Sequence, residues 1–329
     1  MIKISAGTAH VLGLRKLAMD ALPTTAYLMS GEKCTHDCGF CPQARNSSAR
    51  ADLLSRITWA PGETEEIVKA VGRSYRGGQL KRACLQVVDR CGGLAQVEHA
   101  VKKIKGASDI PVCVPTKVET KEALLALAAA GADRIGLALD AASERVFKAT
   151  KTGSWEKTLG FIREAAQFLP GRISTHLIVG LGETEEEMVK MLQHMQELGV
   201  TTGLFAFTPV PGTRMAGRRP PDLVHYRRMQ TAAYLLARGL IIADDCSFAA
   251  GRLLSYGLTT GALREYLKDG KAFETSGCPG CNRPYYNEKP GGKIYNYPRP
   301  LSPEETEAAL DMVIKSLAGK GDDIWRSGA

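Results

Sequence analysis

Three cysteines lie close together in the stretch CTHDCGFCPQ, residues 34–43, with three and then two residues between successive thiols. A structural zinc site normally uses four protein ligands, and a disulfide uses two thiols. Three thiolates on one short loop therefore suit a metal ion or cluster that keeps one coordination position open. A zinc site that borrows His36 as its fourth ligand is the alternative for this motif.

The overall composition is that of an ordinary globular protein. The 329 residues are 44% hydrophobic and 24% charged, which is enough apolar sequence to bury a large core. We see no long apolar run and no continuous apolar stretch near the N-terminus, so we expect no transmembrane helix, no signal peptide and a cytoplasmic location. Nine cysteines without an export signal argue against a disulfide framework and for metal or redox chemistry.

The net charge of +8 is compatible with nucleic acid, a membrane surface or an acidic partner. The basic residues are mostly scattered, and no nucleic-acid motif appears, so we expect neither a nucleic acid nor a membrane partner. A solvated basic surface is the simplest interpretation. A docking face for an acidic protein is the alternative, and the densest basic run that could form it is Arg214, Arg218, Arg219, Arg227 and Arg228.

Short apolar runs alternate with longer amphipathic stretches along most of the chain. The runs at 26–33, 83–88, 110–115, 134–140, 173–181, 201–209 and 240–245 are predicted to be buried strands. The stretches between them repeat apolar residues at a spacing near 3.6, which is typical of helices. This alternation indicates parallel strands with helical crossovers. We predict an α/β fold of the TIM type, a (β/α) barrel that is complete or nearly so.

Residues 269–301 break the alternation because they are rich in Gly and Pro and contain two further cysteines. We predict a structured loop here that folds over one end of the barrel. Ser302 and Glu305 form a capping box that begins a closing helix over 303–318. The chain is therefore divided into a barrel, 1–268, and a C-terminal loop and helix, 269–329, which belong to the same structural unit.

The three-cysteine motif follows the first predicted strand, and a (β/α) barrel carries its catalytic groups on the loops at the C-terminal ends of its strands. A C-x3-C-x2-C motif in this place, with Phe40 before the last cysteine, resembles the radical S-adenosylmethionine (radical SAM) superfamily. The resemblance implies that Cys34, Cys38 and Cys41 hold a 4Fe–4S cluster whose open iron chelates S-adenosylmethionine. It also implies a reductant of the ferredoxin or flavodoxin type, and a 5′-deoxyadenosyl radical that removes a hydrogen atom from the substrate.

Within that superfamily the chain resembles biotin synthase at several separate points between residues 25 and 255. The matching segments are CPQ after the third cysteine, ISTHLIVGLGET and FTPVPGT. The resemblance implies that Phe40, Ile178 and Gly180 line the adenosine site and that Asp140 keeps its cofactor-binding position. Ala138 stands where biotin synthase has an Asn that holds a ureido ring, so such a ring would lose a hydrogen-bonding partner here.

Biotin synthase holds a second cluster, its sulfur donor, with three barrel cysteines and an arginine. Cys84 and Cys113 fall at two of those cysteine positions, Ser174 falls at the third, and Cys246 lies near the arginine position. The resemblance therefore implies an altered second site. Cys84 and Cys113 are alternatively small buried apolar residues, and whether Cys84, Cys91 or Cys113 binds metal stays open.

The second close pair, Cys278 and Cys281, lies in SGCPGCNRPYYNEKPGG, residues 276–292. We interpret the pair, together with Cys246 at the end of the last predicted strand, as ligands of an auxiliary iron–sulfur cluster with one further ligand that is not cysteine. A zinc site is the structural alternative. A redox disulfide is less favoured because no thioredoxin-type βαβ unit surrounds the pair.

A radical-generating cluster and an auxiliary cluster together predict sulfur insertion at an unactivated C–H bond. An altered second site with a C-terminal cysteine pair resembles the two-component type of lipoyl synthase, in which two homologous proteins add sulfur at two carbons of a protein-bound octanoyl chain. This resemblance implies an octanoylated carrier protein and a second homologous subunit as partners. The alternatives are a biotin synthase variant that acts on dethiobiotin and a non-enzymatic iron–sulfur or electron-transfer module.

Overall fold

A nine-stranded sheet dominates the fold in this computed structural model, which describes residues 2–88, 93–288 and 291–317. In chain order its strands are β1 (Ile2–Ser5), β2 (Thr25–Ser30), β3 (Leu53–Leu54), β4 (Ile57–Gly62), β5 (Arg82–Val87), β6 (Val112–Pro115), β7 (Arg134–Gly136), β8 (Ile173–Val179) and β9 (Thr201–Ala206). Strands β2 and β5 to β9 are parallel, and each lies beside the next. No pairing joins β9 to β2 within the described residues, so the predicted barrel is a partial barrel with one open side.

Helices connect the parallel strands, as the spacing of apolar residues predicts. They are α1 (Ala6–Val11), α2 (Thr64–Arg76), α3 (Gly93–Ala107), α4 (Lys121–Ala129), α5 (Glu144–Thr150), α6 (Trp155–Phe168), α7 (Glu185–Glu197), α8 (Leu223–Ala237), α9 (Thr260–Leu267) and α10 (Pro303–Leu317). The capping box at the start of α7 forms, with the Thr184 hydroxyl accepting from the Glu187 amide at 3.1 Å. Within the described ranges, no helix is long and apolar enough to cross a membrane.

Antiparallel strands extend the sheet beyond β2, and no pattern in the sequence predicts them. Strand β1 pairs with both β2 and β4, and β3 pairs with β4. Helix α1 begins directly after β1, because the Ser5 hydroxyl caps it by accepting from the Thr8 amide at 3.2 Å. Strand β1 has only four residues and is followed directly by α1, so the alternation of apolar and polar residues is too short to predict a strand.

The prediction of a strand over 240–245 is wrong, because Ala243–Asp245 forms one turn of 3-10 helix instead. The Asp245 carboxylate accepts from the Ile242 amide at 2.8 Å, and this local bond competes with sheet pairing. Cys246 therefore does not end a barrel strand. It leads into a separate hairpin of β10 (Ser247–Ala249) and β11 (Arg252–Ser255).

Strand β7 is also shorter than the predicted run over 134–140. It ends at Gly136, and the chain then reaches Asp140, whose φ of 62° lies in the left-handed region. Asp140 returns to the sheet as a single bridge to Leu177, with its amide donating to the His176 carbonyl at 2.8 Å. The apolar sequence continues past Gly136, but the backbone leaves the strand there and turns at Asp140.

Residues 276–288, which we name the seam segment, run along the open side of the barrel. On the β9 edge, the Ser276 hydroxyl accepts from the Leu204 amide at 2.9 Å, and Arg283 donates through Nη2 to the Leu204 carbonyl at 3.3 Å. Asn287 donates to the Ala206 carbonyl at 2.7 Å. Side chains of the seam segment thus satisfy backbone groups that a further strand would otherwise pair.

The seam segment reaches β2 on its other side. The Tyr27 hydroxyl accepts from the Arg283 amide at 2.8 Å, and the Tyr27 and Tyr286 rings lie 5.1 Å apart. Its first part also covers the N-terminal ends of the strands, where Arg82 donates to the Pro279 carbonyl at 2.7 Å and Thr24 donates to the Gly280 carbonyl at 2.7 Å. The loop therefore lies across the open side and the N-terminal end of the barrel.

Two of the five arginines considered for a docking face are core residues. Arg227 is buried in α8 and donates to the Ile294 and Tyr295 carbonyls at 2.7 and 2.6 Å, which fixes the chain that follows the seam segment. Arg228 is buried and forms an ion pair with Glu185 at the start of α7. The basic run is therefore divided, and only its first three arginines are exposed.

The pair formed by Arg228 and Glu185 leads to a stability prediction. Replacing Arg228→Met leaves a buried carboxylate without its cation, which typically costs about 3–5 kcal/mol. Arg264→Met removes the partner of Glu307 and Asp311 at the surface, where the Arg264 side chain is 42% exposed, and should cost about 0–1 kcal/mol. Urea unfolding of the two variants and the parent measures both values. Equal losses would show that the burial of the Arg228 pair does not matter.

Candidate active site: two groups of thiols on one cavity

A cavity of about 1180 Å³ occupies the interior of the barrel. Single-ligand pockets usually measure about 300–1,000 Å³, so this volume has room for a cofactor and a substrate together. Seven cysteines line it: Cys34, Cys38, Cys41, Cys84, Cys113, Cys278 and Cys281. They form two groups, one beyond the C-terminal end of β2 and one near the N-terminal ends of the strands.

The first group lies on the loop that follows β2. Backbone bonds fold this loop, since the Cys34 amide donates to the Gln43 carbonyl at 2.8 Å and the Cys41 amide donates to the Cys38 carbonyl at 3.1 Å. The Gly39 amide donates to the Thr150 carbonyl at 2.7 Å, which attaches the loop to the end of α5. The three thiols therefore face the cavity from one tightly turned segment.

Burial raises the pKa of the Cys38 thiol and raises that of Cys41 to about 12. Both thiols stay protonated at neutral pH until metal displaces their protons, as expected for ligands that iron deprotonates. His36 does not complete a zinc site, because its ring nitrogens contact Lys117 Nζ at 2.6 Å and Thr152 Oγ1 at 3.2 Å. The donor set is thus three thiols, which fits a 4Fe–4S cluster with one iron left open.

No three His, Cys, Asp or Glu side chains enclose a single metal ion anywhere in the described ranges. The cysteines of a 4Fe–4S cluster each bind a different iron atom, so they do not have to enclose one ion.

The second group combines two barrel cysteines with the pair on the seam segment. Cys84 of β5 and Cys113 of β6 are direct neighbours in the parallel register, and Cys278 Sγ lies 3.7 Å from Cys113 Sγ. The hydrogen bond with Cys113 raises the pKa of Cys278, and burial raises it further. Cys281 Sγ lies 3.3 Å from the Tyr27 hydroxyl. The C-terminal pair is therefore brought to the two barrel cysteines.

Cys246 does not join this group. It lies after the 3-10 turn outside the barrel, where its thiol contacts the Ile242 carbonyl at 3.9 Å, and it does not line the cavity. The predicted ligand set of Cys246, Cys278 and Cys281 therefore needs correction, because the strand expected to carry Cys246 into the interior does not form.

Phe40, Ile178 and Asp140, which were predicted to bind the cofactor, all line the cavity. The Asp140 carboxylate is paired with Lys151 at 2.6 Å, and both side chains are nearly buried. Lys151 also donates to the Ala138 carbonyl at 2.6 Å. This pair holds the left-handed turn after β7 in place, so its first role in the structure is to position the cavity wall.

Gly180 does not line the cavity, in contrast to the prediction. Its φ is +98°, and a Cβ there would meet Pro221 at 2.9 Å. Its amide donates to the Glu183 carboxylate at 2.6 Å. Glycine is required here by the turn after β8, so a side chain would strain the backbone before it could obstruct a ligand.

Several cavity residues were not predicted from the sequence. His176 of β8 packs edge to face on Phe205 with ring centroids 5.0 Å apart, and burial lowers its pKa to about 4, so the imidazole is neutral at neutral pH. The Arg283 guanidinium stacks over the Phe205 ring, with its Cζ 4.1 Å from the ring centroid. A Cβ at Gly203 would lie 3.1 Å from Arg283 and 3.3 Å from His176, so this glycine provides the space for both.

The model of the radical SAM superfamily matches residues 28–195, half of the chain, and this range extends from β2 to α7. The chain therefore belongs to the radical SAM superfamily, and membership implies a 4Fe–4S cluster and S-adenosylmethionine. The seam segment lies outside the matched range.

The chain is a radical SAM enzyme with relatives among the biotin synthases. It is 28% identical over 262 residues to biotin synthase of Hydrogenobaculum sp. (strain Y04AAS1), which covers 73% of this chain and 76% of that protein. It is 29% identical over 230 residues to biotin synthase of Desulforudis audaxviator, covering 67% of this chain and 65% of that protein. The particular similarity predicted from the motifs is thus confirmed at the level of biotin synthase-like proteins.

Solved structures support the partial barrel. The crystal structure of methylornithine synthase gives a TM-score of 0.51 at 16% identity, covering 70% of this chain and 65% of that chain. The FeFe-hydrogenase maturase HydG from Carboxydothermus hydrogenoformans gives 0.51 at 14% identity, covering 65% of this chain and 51% of that chain. At such identities the likeness concerns the fold alone.

The two cysteine positions Cys41 and Cys246 make a matched pair for testing the first group. Cys41→Ala should remove one 4Fe–4S cluster and abolish 5′-deoxyadenosine formation, because one of its three thiolates is lost. Cys246→Ala should keep the full iron content and the product, since Cys246 lies outside the cavity. Iron analysis and chromatography after anaerobic reconstitution measure both. Unchanged 5′-deoxyadenosine formation in Cys41→Ala would contradict the assignment.

The turn at Gly180 gives a second prediction. Gly180→Ala should lower the free energy of unfolding by at least about 1–2 kcal/mol, because an L side chain is forced into a left-handed backbone region. Gly106→Ala, in α3 with open space around its Cβ, should be neutral or stabilising by up to about 1 kcal/mol. Denaturant unfolding gives both values, and S-adenosylmethionine titration of the folded variants gives affinity. If Gly180→Ala lost much of its affinity for S-adenosylmethionine but none of its free energy of unfolding, Gly180 would belong to the cofactor site after all.

Proposed function

We propose that this radical SAM enzyme inserts sulfur at an unactivated C–H bond of a protein-bound octanoyl chain, as one component of a two-component lipoyl synthase. The observation that carries the proposal is one cavity lined by two groups of thiols. The first group suits the radical-generating cluster. The second group would serve an iron–sulfur source of sulfide in the same cavity.

The bound cluster and S-adenosylmethionine would supply a 5′-deoxyadenosyl radical that removes a hydrogen atom from the substrate. The residues of this chain would hold the substrate carbon between the two groups of thiols and keep water away from it. Sulfur insertion needs a sulfide within bonding distance of the carbon radical, so a shared cavity is a geometric requirement. The biotin synthase relatives support the same class of reaction.

The cavity wall suits an acyl chain. Its surface is mostly apolar, and Ala138 is exposed to the cavity where a ureido-binding side chain would otherwise stand. A methylene chain needs no hydrogen bonds, whereas a ureido ring would leave polar groups unpaired here. These features favour octanoyl over dethiobiotin as the substrate.

An acidic carrier protein is the proposed partner that would deliver this chain. Arg214, Arg218 and Arg219 are exposed. Arg214 lies against the first cysteine loop, where a Cβ at Gly39 would meet its guanidinium at 2.9 Å, and Arg218 donates to the Leu181 carbonyl at 2.9 Å. Opposite charge at this edge would steer a carrier toward the cavity. A ferredoxin or flavodoxin type of protein is the proposed reductant.

A biotin synthase variant is the second candidate, favoured by the relatives of that name. The two candidates separate when the reconstituted protein is offered an octanoylated carrier peptide and dethiobiotin side by side. We expect a sulfur-containing peptide and unchanged dethiobiotin, measured by mass spectrometry, with Cys41→Ala as the inactive control. The number of sulfur atoms added reports whether a second homologous subunit is needed. If dethiobiotin gained sulfur and the octanoylated peptide did not, the biotin synthase variant would be the correct assignment.

A product without sulfur, formed together with 5′-deoxyadenosine, would contradict sulfur insertion itself. An absence of 5′-deoxyadenosine would favour the electron-transfer module.

A further inference from the structure

Four thiols meet in the part of the cavity near the N-terminal ends of the strands, away from the first cysteine loop. Cys113 Sγ lies 3.7 Å from Cys278 Sγ, and Cys84 is the direct neighbour of Cys113 in the register between β5 and β6. Cys281 contacts the Tyr27 hydroxyl, and Tyr27 is the direct neighbour of Cys84 in the register between β2 and β5. Two adjacent strands, β5 and β6, and the seam segment thus direct sulfur into one region.

Two buried guanidinium groups lie beside these thiols, and neither has a carboxylate partner in the parts of the chain that the structure describes. Arg82 is 5% exposed, donates to the Pro279 carbonyl and keeps an Nε with no hydrogen-bond partner. Arg283 is 8% exposed and contacts the Leu204 carbonyl and the Phe205 ring. Buried cations without an anion are costly, so the site is built for an anionic occupant.

Soft thiolate ligands select zinc or iron–sulfur clusters among the common metal centres. A cluster ligated by four thiolates is anionic and would offset the two guanidinium groups. We propose that Cys84, Cys113, Cys278 and Cys281 hold an auxiliary 4Fe–4S cluster, and that its assembly fixes the seam segment across the open side of the barrel. This ligand set replaces the one that included Cys246.

The second half of the proposal follows from where the ligands lie. Two are on barrel strands, and two are on the seam segment, which bonds the barrel strands through side chains and has no backbone pairing with them in the described chain. Binding free energy of a metal centre whose ligands come from separate segments is also folding free energy for those segments. The cluster would therefore join the seam segment, which lies along the free edge of β9, to strands β5 and β6.

The inference rests on the proposed function only in naming the source of sulfide, and its test needs no thiolated product. Four single variants, Cys84→Ala, Cys113→Ala, Cys278→Ala and Cys281→Ala, are compared with the parent and with Cys246→Ala after anaerobic reconstitution. Iron, zinc and sulfide are counted per chain, and hydrogen exchange of residues 276–288 is followed with and without iron. Electron paramagnetic resonance with S-adenosylmethionine reports whether the first cluster is intact, which shows that each variant is folded.

We expect about eight irons in the parent and in Cys246→Ala, and about four in each of the four variants, with the first cluster retained. Reconstitution should slow exchange in 276–288 at least about tenfold in the parent and leave it unchanged in the variants. About eight irons in any of the four variants would overturn the ligand set. So would zinc in the parent, or a disulfide between Cys113 and Cys278 in the anaerobic protein.

Outcomes for the site and for the reaction remain separate. If the parent has eight irons and the variants four, but no substrate gains sulfur, the cluster stands and the proposed function fails. If sulfur is inserted by a parent with only four irons, the proposed function stands and the cluster fails. A variant that loses both clusters is replaced by the matching Ser substitution, and the same iron counts decide.

Discussion

The open side of the barrel is the constraint on which the rest of the structure depends. Strands β2 and β9 end the run of parallel strands. Strand β1 pairs with the outer edge of β2, but no further strand pairs with the outer edge of β9 in the described chain. Unpaired strand edges attract other chains, and buried backbone groups without partners are costly. The seam segment provides hydrogen-bond partners for this edge, because the side chains of Ser276, Arg283 and Asn287 bond the backbone of β9. Its cysteines enter the cavity because the segment is part of the wall.

The same constraint shapes the electrostatics of the cavity. Closing a barrel with a loop places polar side chains inside, and here they include the guanidinium of Arg283 beside a neutral His176. The thiols at the two ends lie in different surroundings. Near the first cysteine loop, Lys151 is paired with Asp140. Near the second group of thiols, the Arg82 guanidinium has no carboxylate partner in the described chain. A negatively charged metal centre would therefore be stabilised more strongly at the second group of thiols than at the first cysteine loop.

Much of the fold could be predicted from the sequence. Six of the predicted strands and the helices between them formed, because apolar periodicity and helix caps are local signals. The strand at 240–245 failed because an Asp245 side-chain bond replaced sheet pairing, which periodicity does not detect. The short antiparallel strands near the N-terminus were missed for lack of a repeating pattern.

The site was predicted less completely than the fold. The first cysteine loop and its cofactors follow from one compact motif, and the superfamily match supports them. The partners of Cys278 and Cys281 could not be found from spacing, because they lie 165 residues away along the chain in the case of Cys113. One signal was available: Cys84 and Cys113 occupy equivalent places on successive strands, which aligns them in a parallel sheet.

The position of the seam segment in the chain has a consequence for biosynthesis. Domains form from the N-terminus onward as the ribosome delivers the chain. The barrel strands and the first cysteine loop emerge well before residues 276–288, so the nascent cavity stays open at the side while they fold. Once the segment has entered, its bonds to β9 and to Tyr27 cover this side of the barrel.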